Sequence, residues 1–97
     1  MTRLEEIKEI LVKHKADISA RYKVKEIGIF GSLVRGELKR GSDVDILVDF
    51  DEAPDLLTFI ELERYLERQL RKKVDLVDRG GLRPQLRERI LNEVLYV

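Results

Sequence analysis

Gly31 and Ser32 close a short β-rich run, and after ten intervening residues the chain reads Asp43-Val44-Asp45. Where a strand gives way to a short helix, unpaired backbone N–H groups and a hydroxyl can point at phosphate oxygens, and the missing side chain at Gly31 permits close approach. On an extended chain the two aspartates project from one face, about 6.6 Å apart along it. That pair can bracket Mg²⁺, which takes a few carboxylates and completes its shell with water and phosphate oxygens. Paired ions in phosphoryl-transfer sites lie ~3.5–4 Å apart, a separation this spacing suits. Asp75, set between apolar neighbours in the later run Val74 to Val77, offers a third carboxylate from another strand. Three converging carboxylates repel and raise one another's pKa values, so the cluster makes physical sense as a cation site. Asp49 shares the parity of Asp45 but lies about 13 Å along the strand, too far to join it.

Each piece alone is common. A lone Gly-Ser is usually a turn, and an Asp-x-Asp at a strand start is most often surface decoration or a cap. The chemistry is carried by their order and spacing together. Arg35, just after the turn, either neutralises phosphate charge or forms an exposed ion pair with Glu37 or Glu88.

The elements that must position these residues can be read from hydrophobic periodicity. Leu4, Ile7, Leu11 and Ile18 recur at helical spacing from Thr2 to about Arg21, with Thr2 and Glu5 forming a capping box. His14 falls on the same stripe and reads as a packing residue rather than a catalytic one. Val24 to Phe30 and Val44 to Phe50 read as strands. In the second, Val44, Ile46, Val48 and Phe50 face the core, while Asp43, Asp45, Leu47 and Asp49 face a cleft. Pro54 and Asp55 open a second helix whose inner side is Leu56, Phe59, Ile60, Leu66 and Leu70, ending in the basic run Arg71, Lys72, Lys73. Gly80-Gly81 breaks the chain, Pro84 begins a last helix carrying Leu86, Ile90 and Val94, and Leu95 to Val97 has the character of an edge strand. The expected architecture is a single α/β (α+β) domain over residues 1–97, a mixed sheet of three to four strands.

Composition bounds the function. With 97 residues there is material for one core, since a second would leave each half too little apolar area. Lys plus Arg and Asp plus Glu number 19 each, so no global positive field exists to drive sequence-blind binding of nucleic acid or anionic lipid, and direct nucleic-acid binding is not expected. No apolar run approaches the ~20 residues of a membrane span, and the N-terminus has no secretory pattern, which predicts a cytoplasmic protein. Cysteine is absent and histidine occurs once, so a metal must be held by oxygens. The scarcity of Asn and Met amid abundant Glu, Lys and Arg is a bias of heat-adapted proteins.

Gly31-Ser32 with Asp43-Val44-Asp45 resembles the signature of the polymerase-beta-type nucleotidyltransferase superfamily. The stretch Phe30 to Val48, the run Lys73-Val74-Asp75-Leu76-Val77, and the ending Arg89 to Tyr96 resemble its minimal nucleotidyltransferase (MNT) members, and the likeness covers nearly the whole chain. The resemblance implies that Gly31 and Ser32 grip the triphosphate of ATP, that Asp43 and Asp45 ligate two Mg²⁺ ions, and that Asp75 ligates the ion on the nucleophile side. It implies helices packed on one face of the sheet and an active cleft on the other. It also implies a partner: minimal nucleotidyltransferases commonly pair with a helical HEPN toxin as its antitoxin, some by transferring AMP to a tyrosine. Two other readings stay open, a binding module that neutralises such a partner by occlusion and a small-molecule adenylyltransferase.

Overall fold

Local sequence signals set the element boundaries in the computed structural model, which describes residues 2–97. The Thr2 hydroxyl accepts the Glu5 N–H at 3.2 Å, capping helix α1 (Arg3–Tyr22), and Lys23 ends it in a left-handed conformation. Strand β1 (Val24–Phe30) runs into a 3-10 turn (Gly31–Leu33), and a loop leads to β2 (Val44–Phe50). The Asp55 carboxylate accepts the Thr58 N–H at 2.7 Å to start α2 (Leu56–Leu70). After β3 (Val74–Asp78), Pro84 occupies the first turn of α3 (Pro84–Glu93), and β4 (Leu95–Tyr96) completes the chain.

The four strands form one mixed sheet in the order β3-β2-β1-β4, with β1 antiparallel to both neighbours and β2 parallel to β3. Ile27 and Ile29 of β1 stand beside Val48 and Ile46 of β2, and these side chains meet Ile7, Leu11 and Ile18 of α1 and Leu62, Leu66 and Leu70 of α2 in the main core. Helices α1 and α2 therefore cover one face, as expected. His14 sits between them, its Nδ1 3.2 Å from the Tyr65 hydroxyl, which also donates to Asp17 at 2.9 Å. This is the packing role its stripe position predicts.

Three refinements come from tertiary contacts. Leu47, expected to face an open cleft, is fully buried with Phe30 and Ile90 in a second, smaller core, because α3 docks on the opposite face of the sheet from α1 and α2. Leu56, expected on the inner side of α2, is 74% exposed, and the buried positions begin at Leu62 and include Tyr65. Leu86 is also exposed, leaving Ile90 as the buried anchor of α3. The expected edge strand does form: Ile29 pairs with Leu95 and Gly28 with Tyr96. A Cβ at Gly28 would stand 2.6 Å from Val94 Cγ2, so only glycine lets the C-terminus close so tightly on β1. No helix among the described residues is long and apolar enough to cross a membrane.

Candidate active site

The turn after β1 is built around Gly31, which has φ +77°. A Cβ there would collide with the Asp45 carboxylate, 2.8 Å from its Cγ, so glycine is required both by conformation and by space. Phe30, the last residue of β1, is the register partner of Asp45, which brings the turn and the first strand carboxylate side by side. The parallel pairing of β2 with β3 then sets Asp45 directly opposite Asp75. Neighbouring strands are about 4.8 Å apart, so the two carboxylates leave the same face as close neighbours. Asp43 precedes β2 by one residue, two residues from Asp45 and exposed.

A cleft of about 280 Å³ is lined by Gly31, Arg35, Asp45 and Asp75 on one side and by residues including Leu86 and Arg89 of α3 on the other, with Ser32 and Asp43 outside its lining. The α3 wall is not visible in the sequence pattern, because it depends on the helix docking beside the carboxylates. A larger depression of about 480 Å³ lies along α1, but Glu5, Lys8, Glu9, Val12 and Lys13 all belong to one helix surface and enclose nothing.

Burial raises the Asp45 pKa first, the negative charge of Asp75 raises it further, and Asp43 adds to this, while the Ser32 amide and Arg35 act in the other direction. That is the like-charge tension expected of carboxylates gathered for a cation. Among the described residues no three His, Cys, Asp or Glu side chains, the expected set of Asp43, Asp45 and Asp75 included, are placed to hold a metal ion together. The donor set nonetheless fits Mg²⁺: carboxylate oxygens only, partly open, with room for water and phosphate oxygens to fill the remaining positions. Asp49 takes no part, since Arg79 binds it at 3.3 Å.

Arg35 lines the cleft with two donors already engaged, Nε to Glu37 at 3.1 Å and Nη1 to Glu93 at 2.6 Å. Of the two ion pairs weighed from sequence, the one with Glu37 forms; the second partner is Glu93 rather than Glu88. Glu93 is the residue that sequence reasoning missed. Its other oxygen, Oε2, accepts the Gly31 N–H at 2.9 Å, and Arg35 together with that amide holds the carboxyl below its usual pKa against the upward push of burial. The strand register accounts for its place. Continuing the β1–β4 register inward from Ile29 and Leu95 brings Glu93 opposite Gly31.

A glycine turn at a strand end, beside carboxylates paired across adjacent strands, describes a class of protein, the enzymes that transfer nucleotidyl groups. The chain belongs to the nucleotidyltransferase domain family, which its residues 5–97 match. It is 56% identical over 97 residues to protein adenylyltransferase MntA of Thermococcus cleftensis, with 100% of this chain and 98% of that relative covered. Among solved structures it superposes on a candidate minimal nucleotidyltransferase with a TM-score of 0.75 and 35% identity, covering 98% of this chain and 95% of that one. A toxin-antitoxin complex with AMP-PNP gives a TM-score of 0.76 at 28% identity, covering 91% of this chain and 69% of that one.

Proposed function

We propose that this enzyme transfers AMP from ATP to a side-chain hydroxyl of a protein partner, a helical HEPN toxin, and thereby acts as its antitoxin in the cytosol. The observation that carries the reading is the register pairing of Asp45 with Asp75 beside the Gly31 turn. The full-length likeness to a protein adenylyltransferase supports the acceptor class, and the toxin-antitoxin neighbour with AMP-PNP supports both partner and nucleotide.

In this reading the Ser32 hydroxyl holds the triphosphate where the strand ends. The acceptor hydroxyl oxygen attacks the α-phosphorus in line, the bond from that phosphorus to its bridging oxygen breaks, and pyrophosphate departs with the electron pair. Asp75, exposed on the edge strand and thus reachable from outside, takes the hydroxyl proton. Two Mg²⁺ ions held by Asp43, Asp45 and Asp75 would neutralise developing charge and lower the hydroxyl pKa. Arg35 would meet phosphate as a third anion, at the expense of one of its two carboxylate partners.

The test is co-purification with the helical partner, incubation with ATP and Mg²⁺, and weighing of the partner by mass spectrometry. A gain of one or more AMP units is expected with wild type and none with Asp43→Asn/Asp45→Asn. Inhibition of the partner without mass gain would replace catalysis by occlusion, and label found only in a small molecule would replace the protein acceptor.

A further inference from the structure

We propose that Glu93 is a positioning residue that clamps the nucleotide turn, tying the end of α3 to the Gly31 amide and holding that turn against Asp45. This rests on the reading of the cleft as an ATP site. Three relationships carry it.

First, the two Glu93 oxygens serve two different donors, the Gly31 N–H at 2.9 Å and Arg35 Nη1 at 2.6 Å, so the carboxylate bridges the first residue of the turn and a residue just beyond it. Second, Gly31 is wedged: its N–H is taken by Glu93 while Asp45 fills the space where a Cβ would stand, leaving the turn little freedom once both neighbours are in place. Third, the Glu93 side chain is only 16% exposed, although it is the last residue of its helix, because β4 turns back at once to pair with β1. A charge placed there without its partners would be costly, so the clamp and the docking of α3 support each other.

The clamp also fixes which group of the turn can meet phosphate. With the Gly31 N–H committed to Glu93 and the Ser32 N–H turned to Asp45, the Ser32 hydroxyl is the group of the turn left to serve phosphate, and Glu93 sets its direction without touching the reacting atoms.

Glu93→Ala and Glu93→Gln are compared with wild type by amide exchange over residues 31–33, by the Kd for a non-hydrolysable ATP analogue with Mg²⁺, and by KM and kcat for transfer. The clamp predicts turn exchange faster by about tenfold in Glu93→Ala and a Kd and KM raised by roughly tenfold, the scale of a lost charged hydrogen bond. At saturating ATP, kcat stays within about threefold, and Glu93→Gln, which keeps one acceptor oxygen, falls between. Unchanged turn exchange and Kd would overturn the proposal, and so would tighter analogue binding, which would make Glu93 a competitor of phosphate. If Glu93→Ala does not fold, Glu93→Gln decides: wild-type exchange and Kd overturn the clamp, intermediate values support it. Failure of wild type to bind the analogue would sink the ATP reading, while the exchange rates would still judge the clamp.

Discussion

Asp45 and Asp75 are register partners across the parallel β2–β3 ladder, two carboxylates set side by side on one face of the sheet. Like charges directly opposed destabilise a sheet, and here burial adds to the penalty by raising the Asp45 pKa. The folded protein therefore carries like-charge repulsion at the proposed site, which a bound cation would offset.

Asp45→Asn should raise the Tm of the cation-free protein at neutral pH while abolishing transfer. Because the folded pKa of Asp45 is raised, the folded state holds this proton more tightly than the unfolded chain, and stability falls as pH climbs from the unfolded pKa through the folded one. The advantage of Asn is thus present at neutral pH and fades below the carboxylate range, where wild-type Asp45 is protonated. A gain of a few degrees, on the order of 1 kcal/mol in a domain this size, is the expectation by thermal melting. Mg²⁺ should stabilise wild type and have little effect on the variant; a variant less stable than apo wild type at neutral pH would contradict the repulsion.

Gly31→Ala combines an unfavourable left-handed conformation with collision against the Asp45 carboxylate. A loss of about 1–3 kcal/mol in chemical denaturation is expected, together with loss of analogue binding. Gly36, also at positive φ but with no atom within 4 Å of an added Cβ, is the control. Gly36→Ala should carry only the conformational cost and keep nucleotide binding.

Ile90→Ala removes the buried anchor of α3 against Phe30 and Leu47. The cost should be about 2–4 kcal/mol by denaturant unfolding. Since the same helix delivers Glu93 and the far wall of the cleft, which Ile90 itself helps to line, transfer should weaken as well. Retained activity with wild-type KM would separate α3 docking from the site.

Asp55 tests a cap far from the chemistry. Its pKa is lowered chiefly by the Thr58 backbone amide, so its contribution is present above the unfolded pKa and is lost as pH falls through the folded one. Asp55→Ala should lower the Tm at neutral pH and match wild type in acid, with transfer unaffected at temperatures where both are folded. A pH-independent difference would point to packing instead.

What the sequence determined by itself was whatever depends on near neighbours. Thr2 and Asp55 announce helix starts through side chains that reach three residues ahead, and Val24 to Phe30 and Val44 to Phe50 announce strands with the boundaries later observed. The Gly31-Ser32 turn follows from local geometry as well, whereas Asp43, expected on one strand face with Asp45, precedes β2 and does not line the cleft. Tertiary structure alone decided which strand lies beside which, that Leu47 is covered by α3 while Leu56 stays in water, and that Glu93 returns to a turn 62 residues earlier in the chain. Periodicity says that a residue has an apolar or polar side, but not what will stand against it. That choice belongs to pairing register and helix docking, where contacts between distant segments compete as a set.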